Sequence, residues 1–202
     1  MKKFLLLISI LALTTACSSD VLKREANQSF SAILEIGDIE TMVEEGYAHV
    51  KVAEGYHIDF ALDTSASEKD VLMAFMAMPF IDAGLDVDAL PATMFLNGDM
   101  LVFATNLDDA KNGTDAKTQL ANLLDANRDL LGYHEELDHF GLALGSNKFE
   151  WAKTSTTNDK DVVFVLDAKS LRDLGVDVAS VEGWTLATMD GMELLLKPFK
   201  LD

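Results

Sequence analysis

Residues 47–63 read YAHVKVAEGYHIDFALD, and apolar and polar side chains alternate on both sides of Ala53-Glu54-Gly55, the two-residue period of half-buried strands. The glycine marks a chain reversal, so the stretch reads as a hairpin. A two-residue turn at Glu54-Gly55 would put Val50 and Val52 on the same face as His57 and Asp59. A three-residue loop with Gly55 in the left-handed conformation instead sets Val52 opposite Tyr56, Val50 opposite Ile58 and Ala48 opposite Phe60. That register gathers the apolar set on one face and is the expected one. Its polar face carries His49 opposite Asp59 and Lys51 opposite His57.

Upstream, residues 31–45 carry Ile39, Met42 and Val43 at helical spacing, and Gly46 stands where a helix would stop, which predicts a helix there. Downstream, Ser65 and Ser67 are candidate N-caps, Glu68 and Asp70 are acidic in the first turn, and Gly84 is a stop. The apolar run 71–78 between them predicts a buried helix that Pro79 kinks or ends. Residues 93–96 and 100–103 flank Asn97-Gly98, a strong hairpin signal, and both strands are expected mid-sheet because both faces are apolar. Residues 114–131 form an amphipathic pattern through Leu120, Leu123, Leu124, Leu130 and Leu131. Residues 140–144 and 149–153 read as strands joined through Gly145-Ser146-Asn147, 162–166 is a continuous apolar strand, and a last hairpin turns at Asp190-Gly191.

The chain also resembles itself. Ile58-Asp59-Phe60-Ala61-Leu62-Asp63 is similar to Val162-Val163-Phe164-Val165-Leu166-Asp167, Gly84-Leu85-Asp86-Val87 to Gly175-Val176-Asp177-Val178, Asn97-Gly98 to Asp190-Gly191, and residues 47–51 to 149–153. Two units follow, at about 47–107 and 149–201, each strand, strand, helix, helical turn, hairpin. Gly84 and Gly175 are expected as left-handed helix C-caps, with Leu85 and Val176 folding back onto Phe80 and Leu171 and with Asp86 and Asp177 capping the next turn. The reading is one α+β domain over residues 31–202, mainly antiparallel sheet with packed helices, built from two pseudo-repeated ββαββ units with the 114–131 helix between them.

Composition bounds the function. The chain has 202 residues, 49% hydrophobic and 25% charged, which suits a folded domain with its own core. One Cys excludes an intrachain disulfide. With 16 Lys+Arg against 34 Asp+Glu the net charge is −18, so nucleic acid is set aside as a partner: an acidic surface gains nothing from counterion release.

Residues 1–17 read MKKFLLLISILALTTAC: two lysines, an apolar run too short to span a bilayer permanently, small residues, then the chain's only Cys. Leu13-Thr14-Thr15-Ala16-Cys17 resembles the bacterial lipobox, with Thr14 where Leu is commonest. The resemblance covers the export segment alone. It implies that residues 1–16 are a signal peptide cut after Ala16, that the Cys17 thiol carries a diacylglycerol, and that the new amino group is acylated. Two lipid signals give stable anchoring where one chain binds marginally. Without Lys2 and Lys3 there are 14 basic residues against 34 acidic, so the membrane is held through lipid and not through charge. By the sorting rule of Gram-negative lipoproteins, Ser18 in place of Asp implies the outer membrane. Residues 17–30 read as a tether entering a helix.

Chemistry is sparse. In His134-Glu135-Glu136-Leu137-Asp138-His139 the histidines are five apart, so the zincin pattern, which needs four, fails, and the segment reads as a solvated linker. His49 with Asp59 resembles half of a catalytic pair, but no nucleophile accompanies it. Met73, Met76 and Met78 read as core, not as Cu(I) ligands, and Asp82, Asp86 and Asp88 as caps, not as a Ca²⁺ loop. No catalytic residue, cofactor or metal is assigned. The expectation is a lipid-anchored envelope protein that binds without catalysis, its partner an envelope protein, a glycan or a small hydrophobic ligand. The alternatives are an envelope hydrolase or metal-dependent enzyme using His49/Asp59 or His134/His139, and an enzyme-inhibitor module presenting the concave face of a duplicated sheet. A sizeable apolar pocket between the halves would favour carriage of a small ligand over flat protein contact.

Overall fold

The computed structural model describes residues 19–65, 69–154, 160–189 and 191–201. The signal segment, Cys17, Ser18, Ser67, Glu68 and Asp190 lie outside them. Helix α1 (residues 19–34) leads into strands β1 (Glu40–Glu44), β2 (Tyr47–Ala53), β3 (Tyr56–Ala61) and β4 (Val71–Met76), helix α2 (Met78–Asp82), and strands β5 (Met94–Asn97) and β6 (Met100–Thr105). The same succession then recurs: α3 (Ala116–Ala126), β7 (Leu131–His134), β8 (His139–Leu144), β9 (Asn147–Ala152), β10 (Val162–Asp167), α4 (Ala168–Asp173), β11 (Thr185–Met189) and β12 (Met192–Phe199). Each succession makes one antiparallel six-stranded sheet, in the order β1-β2-β3-β4-β6-β5 and β7-β8-β9-β10-β12-β11. The fold is α+β with two matching sheets.

The opening hairpin keeps the expected register at Ala48–Phe60, His49–Asp59, Val50–Ile58 and Lys51–His57. A bulge between Lys51 and Ala53 then brings Ala53, not Val52, opposite Tyr56. One extra residue lets a tight turn with Gly55 at φ 71° coexist with an apolar face that is continuous along the hairpin.

Three expected helices are corrected. Residues 31–45 are not one helix: α1 ends at 34 and β1 follows, because Glu45 (φ 50°) and Gly46 (φ 84°) form a tight hairpin turn with left-handed conformation at both positions. The folded domain therefore begins before residue 31. Ala26, Phe30 and Ile33 lie on one face of α1 and are at most 2% exposed, so from residue 19 the segment read as a tether is helix with one face in the core. The run 71–78 is strand β4, not a helix. It pairs on both sides, with β3 and β6, and a mid-sheet strand is apolar all round for the same reason as a buried helix. Pro79 then stands in the first turn of α2, where its missing N–H costs nothing. The 114–131 helix closes earlier, at Ala126. Asn127 donates its side-chain amide to the carbonyls of Leu123 (3.0 Å) and Asp108 (3.2 Å), and β7 begins at Leu131. A smaller correction concerns β5, which is an edge strand with Leu96 and Asn97 exposed.

The two sheets match in topology, with a correspondence one strand away from the expected one for β9 and β10. Strand β10 corresponds to β4, not β3, and β9 to β3, not β2. The correct match is Lys69-Asp70-Val71 with Lys160-Asp161-Val162, continuing through Ala77/Ala168, Asp82/Asp173, Gly84/Gly175 and Asp86-Val87/Asp177-Val178. The hydrogen bonds follow the same match. Ala61 N–H donates to Asp70 O and Ala152 N–H to Asp161 O, both at 2.8 Å. Leu107 N–H donates to Asp70 Oδ2 and Leu201 N–H to Asp161 Oδ2, both at 2.9 Å. Each aspartate ties the start of its central strand to the end of its sheet.

The units meet about an approximate twofold axis. Asp86 N–H donates to Leu174 O (2.9 Å) and Asp177 N–H to Ala83 O (2.8 Å), an isologous pair of bonds between corresponding residues. The C-caps read from the sequence lie there: Gly84 (φ 101°) and Gly175 (φ 89°) carry the Leu85→Phe80 (2.9 Å) and Val176→Leu171 (3.1 Å) backbone bonds of Schellman turns. The inner faces of the sheets share one core. Phe75 of β4 meets Phe164 of β10 edge to face with centroids 5.1 Å apart. Phe30 of α1 packs on Phe149 and Trp151 of the second sheet as well as on Phe60 of the first, and Ser29 Oγ donates to Ala152 O (2.6 Å). Helix α3, from the second unit, lies against β2 and β3 of the first sheet.

Candidate functional site

Each sheet has an outer face turned away from this core, and the corrected match lets the two be compared position by position. On the first, His49 and Lys51 project from β2, His57 and Asp59 from β3, and Leu72 and Ala74 from β4, by strand alternation. The Asp59 carboxylate, 3% exposed, is gripped by two imidazoles: Oδ1 lies 2.9 Å from His49 Nδ1 and Oδ2 3.3 Å from His57 Nε2. Lys51 bridges Glu54 (2.9 Å) and Glu40 (3.4 Å), and Lys69 Nζ sits 3.8 Å above the Phe95 ring. Polar side chains fill this face. The sequence paired His49 with Asp59 correctly and missed His57 as the second clamp.

On the second sheet the acid persists as Glu150 and Lys148 replaces His57, but the positions of His49 and Lys51 are taken by Gly141 and Ala143. Leu72 and Ala74 become Val163 and Val165, and Leu194 and Leu196 of β12 lie beside them. Val163, Val165 and Leu194 are at most 6% exposed and form an apolar cluster separate from the main core. Removing two long side chains from β8 leaves a cavity of about 290 Å³ over this floor. Leu130, Tyr133 and Leu137 line one side and Met189 and Met192 the other. Both edges of one sheet thus reach one cavity, so the sheet curls around it.

Glu150 sets the cavity's electrostatics. It is 8% exposed, and among the described residues its one contact with an oppositely chargeable group is His139 Nδ1 at 3.8 Å, too long for a hydrogen bond. His139 is 1% exposed, and neither ring nitrogen has a hydrogen-bond partner. It corresponds to Tyr47, whose hydroxyl does find one, the Lys69 carbonyl at 2.9 Å. Asp129, His134, Lys148 and Lys160 also line the cavity.

The remaining candidates distribute as follows. His134 faces His139 across the β7–β8 hairpin, whose turn is Glu135–Asp138, so the segment is a hairpin with one buried imidazole and not a solvated linker. Tyr133 donates its hydroxyl to Asp138 within this hairpin. Among the described residues no group of three or more His, Cys, Asp or Glu is placed to hold a metal ion. Met73 is core as expected, but Met76 and Met78 are 42% and 55% exposed, because β4 ends at Met76 and the chain turns out into α2. Asp86 Oδ1 accepts from Asp88 N–H (3.1 Å), the expected cap, while Asp82 and Asp88 are exposed. Aromatic rings fill the centre of the seam between the halves, and at its rim is a groove of about 660 Å³ of mixed lining, with Thr93, Asn106, Ser146 and Ser170 beside Met94, Phe103, Leu144 and Leu174. The chain matches no protein-family model, no curated protein and no solved structure.

Proposed function

We propose that this chain is a lipid-anchored binding protein of a bacterial envelope, tethered through Cys17 to the outer membrane of a Gram-negative cell, and that its ligand is a small apolar molecule seated on the outer face of the second sheet. The observation that carries the reading is the difference between the two outer faces. Where the first unit keeps His49 and Lys51, the second has Gly141 and Ala143 and an apolar floor. At about 290 Å³ the cavity stands at the small end of the range for ligand pockets. Filling a face needs no special residue. Emptying one over Val163, Val165 and Leu194 gives up packing contacts on that face, a cost that binding offsets. The resemblance of Leu13-Thr14-Thr15-Ala16-Cys17 to the lipobox supports a position at a membrane surface, where apolar small molecules concentrate.

Two arms test this. Labelling cells with a radioactive fatty acid should tag the wild type and leave Cys17→Ser unlabelled; label on Cys17→Ser removes the anchor. An environment-sensitive apolar dye should bind the mature chain and be lost at least about tenfold on Ala143→Phe, which fills the cavity from β8. Unchanged dye binding by a folded Ala143→Phe rejects the site.

A further inference from the structure

Resting on that reading, we infer that the ligand carries a protonated amine and that Glu150 receives it. The argument begins with an imbalance. Glu150 lines the apolar cavity with the buried His139 beside it: among the described residues the imidazole nitrogens have no hydrogen-bond partner, and the carboxylate has no ion-pair partner nearer than 3.8 Å. A buried polar atom without a partner is costly, and a charge in the wall of an apolar cavity is solvated less well than one in open water. The corresponding Asp59 shows what satisfaction looks like here: two imidazoles, at 2.9 and 3.3 Å, hold its two oxygens. In the second unit the position of His49 is Gly141, and a methyl group added there would sit 3.5 Å from Glu150 Cγ. Of the two donors that hold Asp59, the one at the His57 position is replaced by Lys148 and the one at the His49 position is missing, and the place of the missing one opens into the cavity.

A ligand that enters there meets a carboxylate that is mostly buried in the cavity wall. An ammonium group gains a charge-assisted hydrogen bond. A carboxylate or phosphate meets a like charge where screening is weak. A neutral alcohol gains less than the cation does. The chain's net charge of −18 favours approach of a cation over an anion. Lys148 and Lys160 also line the cavity and repel a cation, so the amine preference requires the ligand's head to sit nearer Glu150 than either ammonium group. The ligand class is therefore a small amphiphile with one apolar body and one basic nitrogen.

Octylamine, octanol and octanoate share a chain and differ at the head. Titrated by calorimetry into the mature chain from residue 17, carrying Cys17→Ser, octylamine should bind at least about tenfold tighter than octanol, with octanoate weakest. In Glu150→Gln the amine preference should fall to within about threefold, with octanol affinity unchanged. Methyl resonances of Val163 and Val165 report whether each probe enters the cavity. If octanol shifts those methyls and octylamine binds no tighter, or if Glu150→Gln keeps the preference, the amine assignment is overturned and the cavity reading stands. If no probe shifts them, both fall.

Discussion

Asp70 and Asp161, each 1% exposed, show how single residues hold this architecture. Each carboxylate uses one oxygen to receive the backbone N–H that follows its sheet's last strand, and in each the other oxygen is buried without a partner. For Asp70, burial pushes the carboxyl above its ordinary value of 3.8, the Leu107 N–H pulls it back in part, and the charge of Asp109 raises it again. A raised acid binds its proton more tightly in the folded state than in the unfolded one. The contribution to stability is thus full below the ordinary Asp range and is lost as pH rises from about 4 through the raised folded value. Asn keeps an oxygen for Leu107 and does not titrate. Asp70→Asn should therefore gain on the wild type in urea midpoint as pH goes from 4 to 7, and a difference that stays flat with pH would show that the carboxyl does not titrate with folding. Asp70→Ala, which strands the Leu107 N–H, should cost about 1–3 kcal/mol at pH 4 and less by pH 7, because only the wild type loses the proton-linked part.

Among the elements, the C-cap loops after α2 and α4 make the contact at the axis, and they permit only glycine. A Cβ on Gly84 would lie 2.9 Å from Gly175 O, and one on Gly175 would lie 2.8 Å from Gly84 O. Gly84→Ala or Gly175→Ala should each cost at least about 1–2 kcal/mol from the left-handed backbone alone, before the clash. Once one methyl has pushed the loops apart, the second meets less resistance. The double variant should then cost less than the sum, with a coupling of about 0.5–3 kcal/mol in denaturant titrations, and strict additivity would mean the loops do not press on each other. These caps were legible in the sequence because a helix stop is local chemistry: Gly, an apolar residue, then Asp. The β2–β3 hairpin was legible for the same reason. Strand β4 was not, since Val71 to Met76 is apolar on both faces and periodicity cannot tell such a strand from a buried helix. That error displaced the repeat by one strand, because apolar runs match anywhere while Lys69-Asp70-Val71 and Lys160-Asp161-Val162 match in one place. The cavity was hidden by the same shift: Gly141 and Ala143 become informative only when set against His49 and Lys51. Helix α1 was missed because Ala26, Phe30 and Ile33 sit among polar neighbours that read as a tether.

At the scale of the whole molecule, the two units are interlocked and not merely adjacent. Helix α1 opens the first unit but sets Phe30 against Phe149 and Trp151 of the second sheet and ties Glu25 to Lys153 at 2.9 Å. Helix α3 opens the second unit and covers β2 and β3 of the first sheet, while Lys23 of α1 reaches Asp125 of α3 at 2.6 Å. Each sheet would therefore lose part of its covering helix layer if the halves were separated, and Phe75 and Phe164 would both face water. Truncating one such ring to Ala costs about 3–5 kcal/mol, comparable to the whole stability of a marginal domain. It follows that residues 19–107 and 108–202, produced apart, should lack cooperative unfolding and near-ultraviolet dichroism. The intact chain should unfold in one transition, with calorimetric and van't Hoff enthalpies that agree. Mixing the two halves should restore the dichroism, since every lost contact lies at one shared surface that either half can offer the other. Independent two-state unfolding of either half would show that its sheet does not need the other's helix, and would reduce the exchanged helices to a surface contact.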